Sequence, residues 1–240
     1  MAEELDLEQI GGKELNRRLQ ALASQGLQSN APAKVRLRNT HAGHNIAVNV
    51  SGPLDIVVEG SAGFYCCGFM NGPTVTVKGD VGWYAADNML GGRLTVLNNA
   101  GRNLAPSMIG GAVIVRGSAG GRVGYGLKGG TVVVCGEAGL FTGQQMLGGR
   151  IVLLGKVGEE AGESMVGGSI FYRKGSLAGI GNNVRSRPID PAEAESLAVL
   201  FIENDLQADP AEFECLAPKG GKQKLQLFNP HLVSREEVAS

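Results

Sequence analysis

Glycine recurs through the middle of this 240-residue chain with a fixed period. Gly63, Gly82, Gly101, Gly120, Gly139 and Gly158 are separated by five successive steps of 19 residues, with Gly43 20 residues before the first. Gly-Gly or Gly-Pro pairs at 72/73, 91/92, 110/111, 129/130, 148/149 and 167/168 keep the same spacing, as do Met70, Met89, Met108, Leu127, Met146 and Met165. A short β-branched run follows each pair. Its alternate positions form two apolar columns, Ile56, Val75, Leu94, Val113, Val132, Ile151, Ile170 and Val58, Val77, Val96, Val115, Val134, Leu153, Tyr172, which point the same way. A unit this short cannot bury a face alone and must stack on its neighbours. The expectation is an all-β core, a right-handed parallel β-helix of about seven 19-residue coils with flanking α-helices. At roughly 4.8 Å per coil the prism is of order 34 Å long. Leucine-rich repeats lack the required Leu and Asn columns here, and a propeller blade needs about 40 residues.

Of the 38 glycines, 31 fall between Gly60 and Gly181, so an organised segment is flanked by ordinary chain. The glycines are expected at corners needing positive φ or where coils approach closely. The column Cys67, Ala86, Ala105, Gly124, Gly143, Gly162 marks a cramped inner position. The expected division is 1–35, an N-terminal helical segment and cap; 36–181, the β-helix; and 182–240, C-terminal helices and an extended docking tail. Leu15, Leu19 and Leu22 predict an amphipathic helix over 13–25, ended by Gly26 and placed to cap the first coil. Asp190-Pro191-Ala192-Glu193 is a helix start with N-cap, N1 proline and capping-box glutamate, and Leu197, Leu200 and Phe201 form its apolar face. Asp209-Pro210 is read as opening a short helix through Phe213 and Leu216, before a tail containing Leu225, Leu227 and Phe228.

With 22 basic against 23 acidic residues, the chain has no basic excess for nucleic acid or an anionic membrane. No apolar run approaches the roughly 18 residues of a membrane span and no signal segment is visible, so a cytoplasmic protein without nucleic-acid or membrane partners is expected. Cys66, Cys67, Cys135 and Cys215 show no metal-ligand or disulfide-framework spacing and read as reduced thiols. The adjacent Cys66 and Cys67 read as packing rather than a redox couple. His41 and His44 lack a third ligand nearby and read as surface or capping residues. Gly124–Gly129 spells GxGxxG, but a strand run rather than a helix follows, so a dinucleotide site is rejected. No catalytic, cofactor-binding or metal-binding residue is expected in this chain.

One variable column reads Phe64-Tyr65, Trp83-Tyr84, Arg102-Asn103, Gly121-Arg122, Leu140-Phe141, Glu159-Glu160, and variability marks an outward face. Its four aromatics, including the chain's only tryptophan, are expected to form an interaction patch, joined as candidate interface by Leu225, Leu227 and Phe228 of the tail. A second outer column changes from Thr76 and Thr95 to Ile114, Val133, Val152 and Phe171, and needs a cover, either the chain's own C-terminal helix or a partner.

The segments 60–71, 80–92 and 173–181, with the opening DL…ELNRRLxAL and the KLxLF ending, resemble the GXGXG β-helix domain of the glutamate synthase large subunit. They are most similar to its free-standing form, the B subunits of N-methylglutamate synthase and glutamate-synthase-like relatives. The resemblance covers roughly residues 5 to 230, and Cys67 departs from it where a smaller residue is expected. It implies a non-catalytic scaffold joining an amidotransferase-like subunit to an FMN-dependent, iron-sulfur glutamate-synthase-like subunit. The implied family reaction converts methylamine and glutamate to N-methylglutamate and ammonia. FMN and the iron-sulfur cluster then belong to a partner. Three alternatives stay open: a subunit of glutamate synthase proper, the C subunit of a formylmethanofuran dehydrogenase or formyltransferase/hydrolase complex, and a structural β-helix without an enzyme partner.

Overall fold

A computed structural model describes residues 2–220. Strands β1 (Glu3–Asp6), β2 (Ala33–Arg38), β3 (Leu54–Val58), β4 (Thr74–Val77), β5 (Arg93–Val96), β6 (Ala112–Val115), β7 (Thr131–Val134), β8 (Arg150–Leu153) and β9 (Ser169–Arg173) lie side by side in chain order, each parallel to the next. From β3 to β9 every register step is 19 residues, Ile56 facing Val75, then Leu94, Val113, Val132, Ile151 and Ile170. The fold is therefore the parallel β-solenoid of about seven turns that the repeat requires. Both apolar columns point inward and are buried, and Val35 and Leu37 of β2 extend them by a rung.

A second side of the prism is a ladder of single bridges, Ala62 to Val81 to Ala100 to Ala119 to Ala138 to Val157 to Leu177. The third side is not a strand. Its backbone carries left-handed residues at every other position, such as Tyr65, Cys67 and Phe69 at φ 59°, 61° and 55°. Each left-handed residue at an ordinary side chain costs of order 1 kcal/mol, and the surrounding hydrogen bonds hold it there. Tyr65, Tyr84, Asn103, Arg122 and Phe141 donate N–H to the following coil at 2.8–3.1 Å, while Cys67, Ala86 and Ala105 donate to the preceding one at 2.7–2.8 Å. The small-residue column is explained by both constraints together. Its members are left-handed, and a Cβ at Gly124 would stand 2.6 Å from Ile151 Cδ1.

The two glycine columns answer different needs. Gly101 has no positive φ, but a Cβ there would lie 2.9 Å from the Gly82 carbonyl carbon; Gly111, second of its pair, has φ 88°.

Helix α1 (Gly12–Ser29) caps the first coil, with Leu15, Leu19 and Ala23 buried, Asn16 donating to Asn45 O, and Gln20 bridging the backbone of Ser51 in both directions. It does not stop at Gly26 as the sequence suggests. Gly26 is a buried helical residue whose missing side chain admits the Pro53 carbonyl, and left-handed Asn30 ends the helix instead.

At the other end the chain leaves β9, forms β10 (Val184–Pro188), then helix α2 (Pro191–Glu203), a 3-10 turn (Pro210–Glu212) and β11 (Phe213–Pro218). β11 inserts antiparallel between β9 and β10. The expected helix through Phe213 and Leu216 is thus a strand. Phe213 and Cys215 face α2 while Leu216 faces the prism core, an alternation of period two that a helix could not serve. The start of α2 is as read from the sequence: Glu193 N donates to Asp190 Oδ1 at 2.8 Å and Asp190 N to Glu193 Oε2 at 3.0 Å.

Candidate interaction surface

The outer face of the solenoid has two apolar regions, and α2 settles one of them. Ile114, Val133, Val152 and Phe171 form a second buried cluster with Leu197, Leu200 and Phe201 of α2 and with Phe213 and Cys215 of β11. Arginines from the strands fix the helix laterally: Arg93 bonds Asn204, and Arg150 donates to Ser196 Oγ at 2.7 Å. The cover is the chain itself.

The other region has no such cover among the described residues. Phe64, Tyr65 and Trp83 are 39%, 41% and 48% exposed, and Tyr84 is half-buried. The 19-residue repeat places like positions one coil apart, so the rings stack: Phe64 on Trp83 with centroids 5.4 Å apart, and Tyr65 on Tyr84 at 5.0 Å and 9°. The structure therefore brings these four sequence-predicted residues together as two adjacent stacked pairs. Leu225, Leu227 and Phe228 lie outside the described residues.

His44 also belongs to the ladder, which the sequence reading missed. Its ring stacks on Phe64 at 4.6 Å and 8°, and its Nδ1 accepts the Phe64 N–H at 3.0 Å. The signal is present in the register, because His44 precedes Phe64 by one 20-residue first step. His41 Nε2 sits 2.7 Å from Glu8 Oε1. Among the described residues no group of three His, Cys, Asp or Glu is gathered as for a metal ion.

The remaining motifs settle into packing. Cys66 and Cys67 are free thiols, fully buried, with sulfurs 3.6 Å apart. The hydrogen bond to Cys66, together with burial, pushes the Cys67 thiol well up, away from the thiolate that reactivity needs. Burial likewise raises Cys215 to about 11. The GxGxxG string at Gly124–Gly129 lies within one coil, with Gly124 and Gly126 left-handed, and runs into β7 rather than a helix. Glu159 and Glu160 stand on the outer face at the far end of the aromatic column, which changes along the prism from aromatic through basic and apolar to acidic.

No family model matches the chain, and no curated protein matches it. Among solved structures it is similar to a chain of the formyltransferase/hydrolase complex of Methylorubrum extorquens, solved with methylofuran, at 22% identity and TM-score 0.65, over 88% of this chain and 87% of that one. At that identity the similarity is one of fold.

Proposed function

We propose that this chain is a non-catalytic scaffold subunit of a multi-subunit enzyme of glutamate-synthase type, N-methylglutamate synthase in particular. The observation that carries the scaffold reading is the exposed aromatic ladder. A prism that covers one apolar face with its own helix leaves stacked aromatics open, among the described residues, on another, which is the composition of an interface anchor. The prism is stiff, because each coil is hydrogen-bonded to both neighbours and its core ladders are β-branched. A stiff element between an amidotransferase-like subunit and an FMN and iron-sulfur subunit would fix the separation of their sites and keep a small amine from escaping. The glutamate-synthase assignment rests on the resemblance of the repeat and of the opening and ending segments.

The likeness to a chain of the formyltransferase/hydrolase complex favours a second reading, a scaffold for formyl-transfer chemistry of that type or of formylmethanofuran dehydrogenases. Purification of the tagged chain from its native cells, with mass spectrometry and an absorption spectrum of the eluate, separates the two. Co-elution of a yellow FMN subunit and an amidotransferase-like subunit supports the first. A molybdenum or tungsten enzyme, or a metal-dependent hydrolase with a formyltransferase, supports the second. A colourless lone chain refutes both.

A further inference from the structure

The outward column loses one rung. Along it run His44, Phe64, Trp83, Arg102, Gly121, Leu140 and Glu159, and only Gly121 has no side chain. Where the rungs are rings they are spaced 4.6 and 5.4 Å apart, and the space left at Gly121 is bounded above by Leu140, whose Cγ lies 3.7 Å from where a Gly121 Cβ would be. The gap is the heart of a cavity of about 360 Å³ lined by Arg102, Gly120, Gly121, Arg122, Gly139 and Leu140.

The cavity is rich in unused donors. Arg102 makes no side-chain hydrogen bond or ion pair among the described residues. Arg122 donates through Nε to Gln144 Oε1 at 3.2 Å and rests its guanidinium 5.7 Å from the centre of the Phe141 ring, which leaves its two terminal amino groups without an acceptor. A backbone donor is placed as well. At the start of the column the Phe64 N–H bonds to the side chain of the rung below, His44. Leu140 stands over Gly121 in the same register, its O, Cγ and N 3.0, 3.7 and 3.8 Å from where a Gly121 Cβ would be, and its N–H, like those of Trp83, Arg102, Gly121 and Glu159 in this column, has no acceptor among the described residues. Side-chain acceptors serve the next coil's N–H groups along one other column, where Ser61 Oγ takes Asp80 N–H, Asp80 takes Asn99 N–H, and Asn99 takes Ser118 N–H, at 2.9–3.0 Å.

We propose that the Gly121 notch binds a flat carboxylate, an aromatic acid whose ring supplies the missing rung. The ring packs between Arg102 and Leu140, the guanidinium of Arg102 meeting its face. The carboxylate accepts from Arg122 and from the Leu140 N–H, charge-assisted bonds that a planar two-oxygen acceptor satisfies together. The site is independent of the aromatic pairs two and three coils away and of which enzyme the prism serves.

The test is a side-chain and amide NMR titration of the whole chain with benzoate, with cyclohexanecarboxylate and inorganic phosphate as comparators. The expected result is saturable shifts of the Arg102 and Arg122 Nε–H signals and of the Leu140 amide, half-complete at about 1 mM or below. Benzoate should bind several-fold more tightly than either comparator. In Arg102→Gln/Arg122→Gln, both exposed positions, the Leu140 amide shift should vanish with the melting temperature unchanged. Gly121→Leu, which restores the rung, should also abolish binding, and the arginine pair keeps the test decisive if crowding at the Leu140 carbonyl unfolds that variant. Absence of saturation, equal affinity for phosphate, or benzoate shifts that persist without the two arginines would each overturn the proposal.

Discussion

Two apolar regions on the outside of one prism have opposite fates. Over β6 to β9, Ile114, Val133, Val152 and Phe171 are buried because α2 and β11 fold back over them. Over the early coils, Phe64, Tyr65 and Trp83 lie in stacked pairs on the outer face and are uncovered among the described residues. The difference lies in what the backbone offers. The strand side is flat and gives a helix a surface of alternating side chains. The aromatic side begins where the chain turns left-handed at Tyr65 and Tyr84, and its rings project as a ridge stacked on itself. The covered region works as core, while the ridge has no cover among the described residues.

The covered region should be the costlier to damage. Phe201→Ala, which removes a ring that contacts Phe213 with centroids 5.3 Å apart, should destabilise the chain by about 3 kcal/mol or more, read as a lowered denaturant midpoint. A change of less than about 1 kcal/mol would mean that α2 is only loosely laid on the sheet. Next in size, Ala86→Val puts a branched side chain on a buried left-handed residue and should cost about 2 kcal/mol by chemical denaturation. A neutral result would remove the argument for the cramped column.

Smaller effects sharpen the contrast at the edge of the cover. Asp190→Ala removes the cap of α2 and should cost about 1 kcal/mol. The hydrogen bonds from Arg187 hold the Glu193 carboxyl below its usual range. A depressed folded value stabilises above the unfolded value, and that contribution is lost as pH falls through the folded one. Glu193→Gln should therefore flatten the acid side of the stability profile and leave less difference from wild type at low pH than at neutrality. Equal losses at both pH values would contradict this linkage. Least of all, Trp83→Ala with Tyr65→Ala should change stability by about 1 kcal/mol or less, because both rings are exposed and only their stacking is lost.

The solenoid was legible because stacking demands a repeat, and a repeat survives in the sequence as columns. Residues outside the columns were harder to read. Strand β1 is only Glu3–Asp6, with a single buried side chain, Leu5, and it is defined by pairing with β2 rather than by any pattern of its own. β11 follows a helix-start signal at Asp209-Pro210 that ends after one 3-10 turn, because both faces of the next segment have apolar surfaces to meet. The helix stop misread at Gly26 has a similar origin, since a close approach by Pro53 asks for glycine as firmly as a C-cap does. At the candidate site the four aromatics were visible as a column, while His44 and the unfilled rung at Gly121 became apparent only once the coils were stacked.

The most direct test of the scaffold account compares the tagged wild-type chain with Trp83→Ala/Tyr65→Ala, purified from the native cells, measuring melting temperature and co-eluting subunits on the same samples. The account predicts a melting temperature within a few degrees of wild type and loss of the enzyme subunits from the eluate. A large drop in melting temperature, or a full complement of partners on a chain lacking both rings, would contradict it.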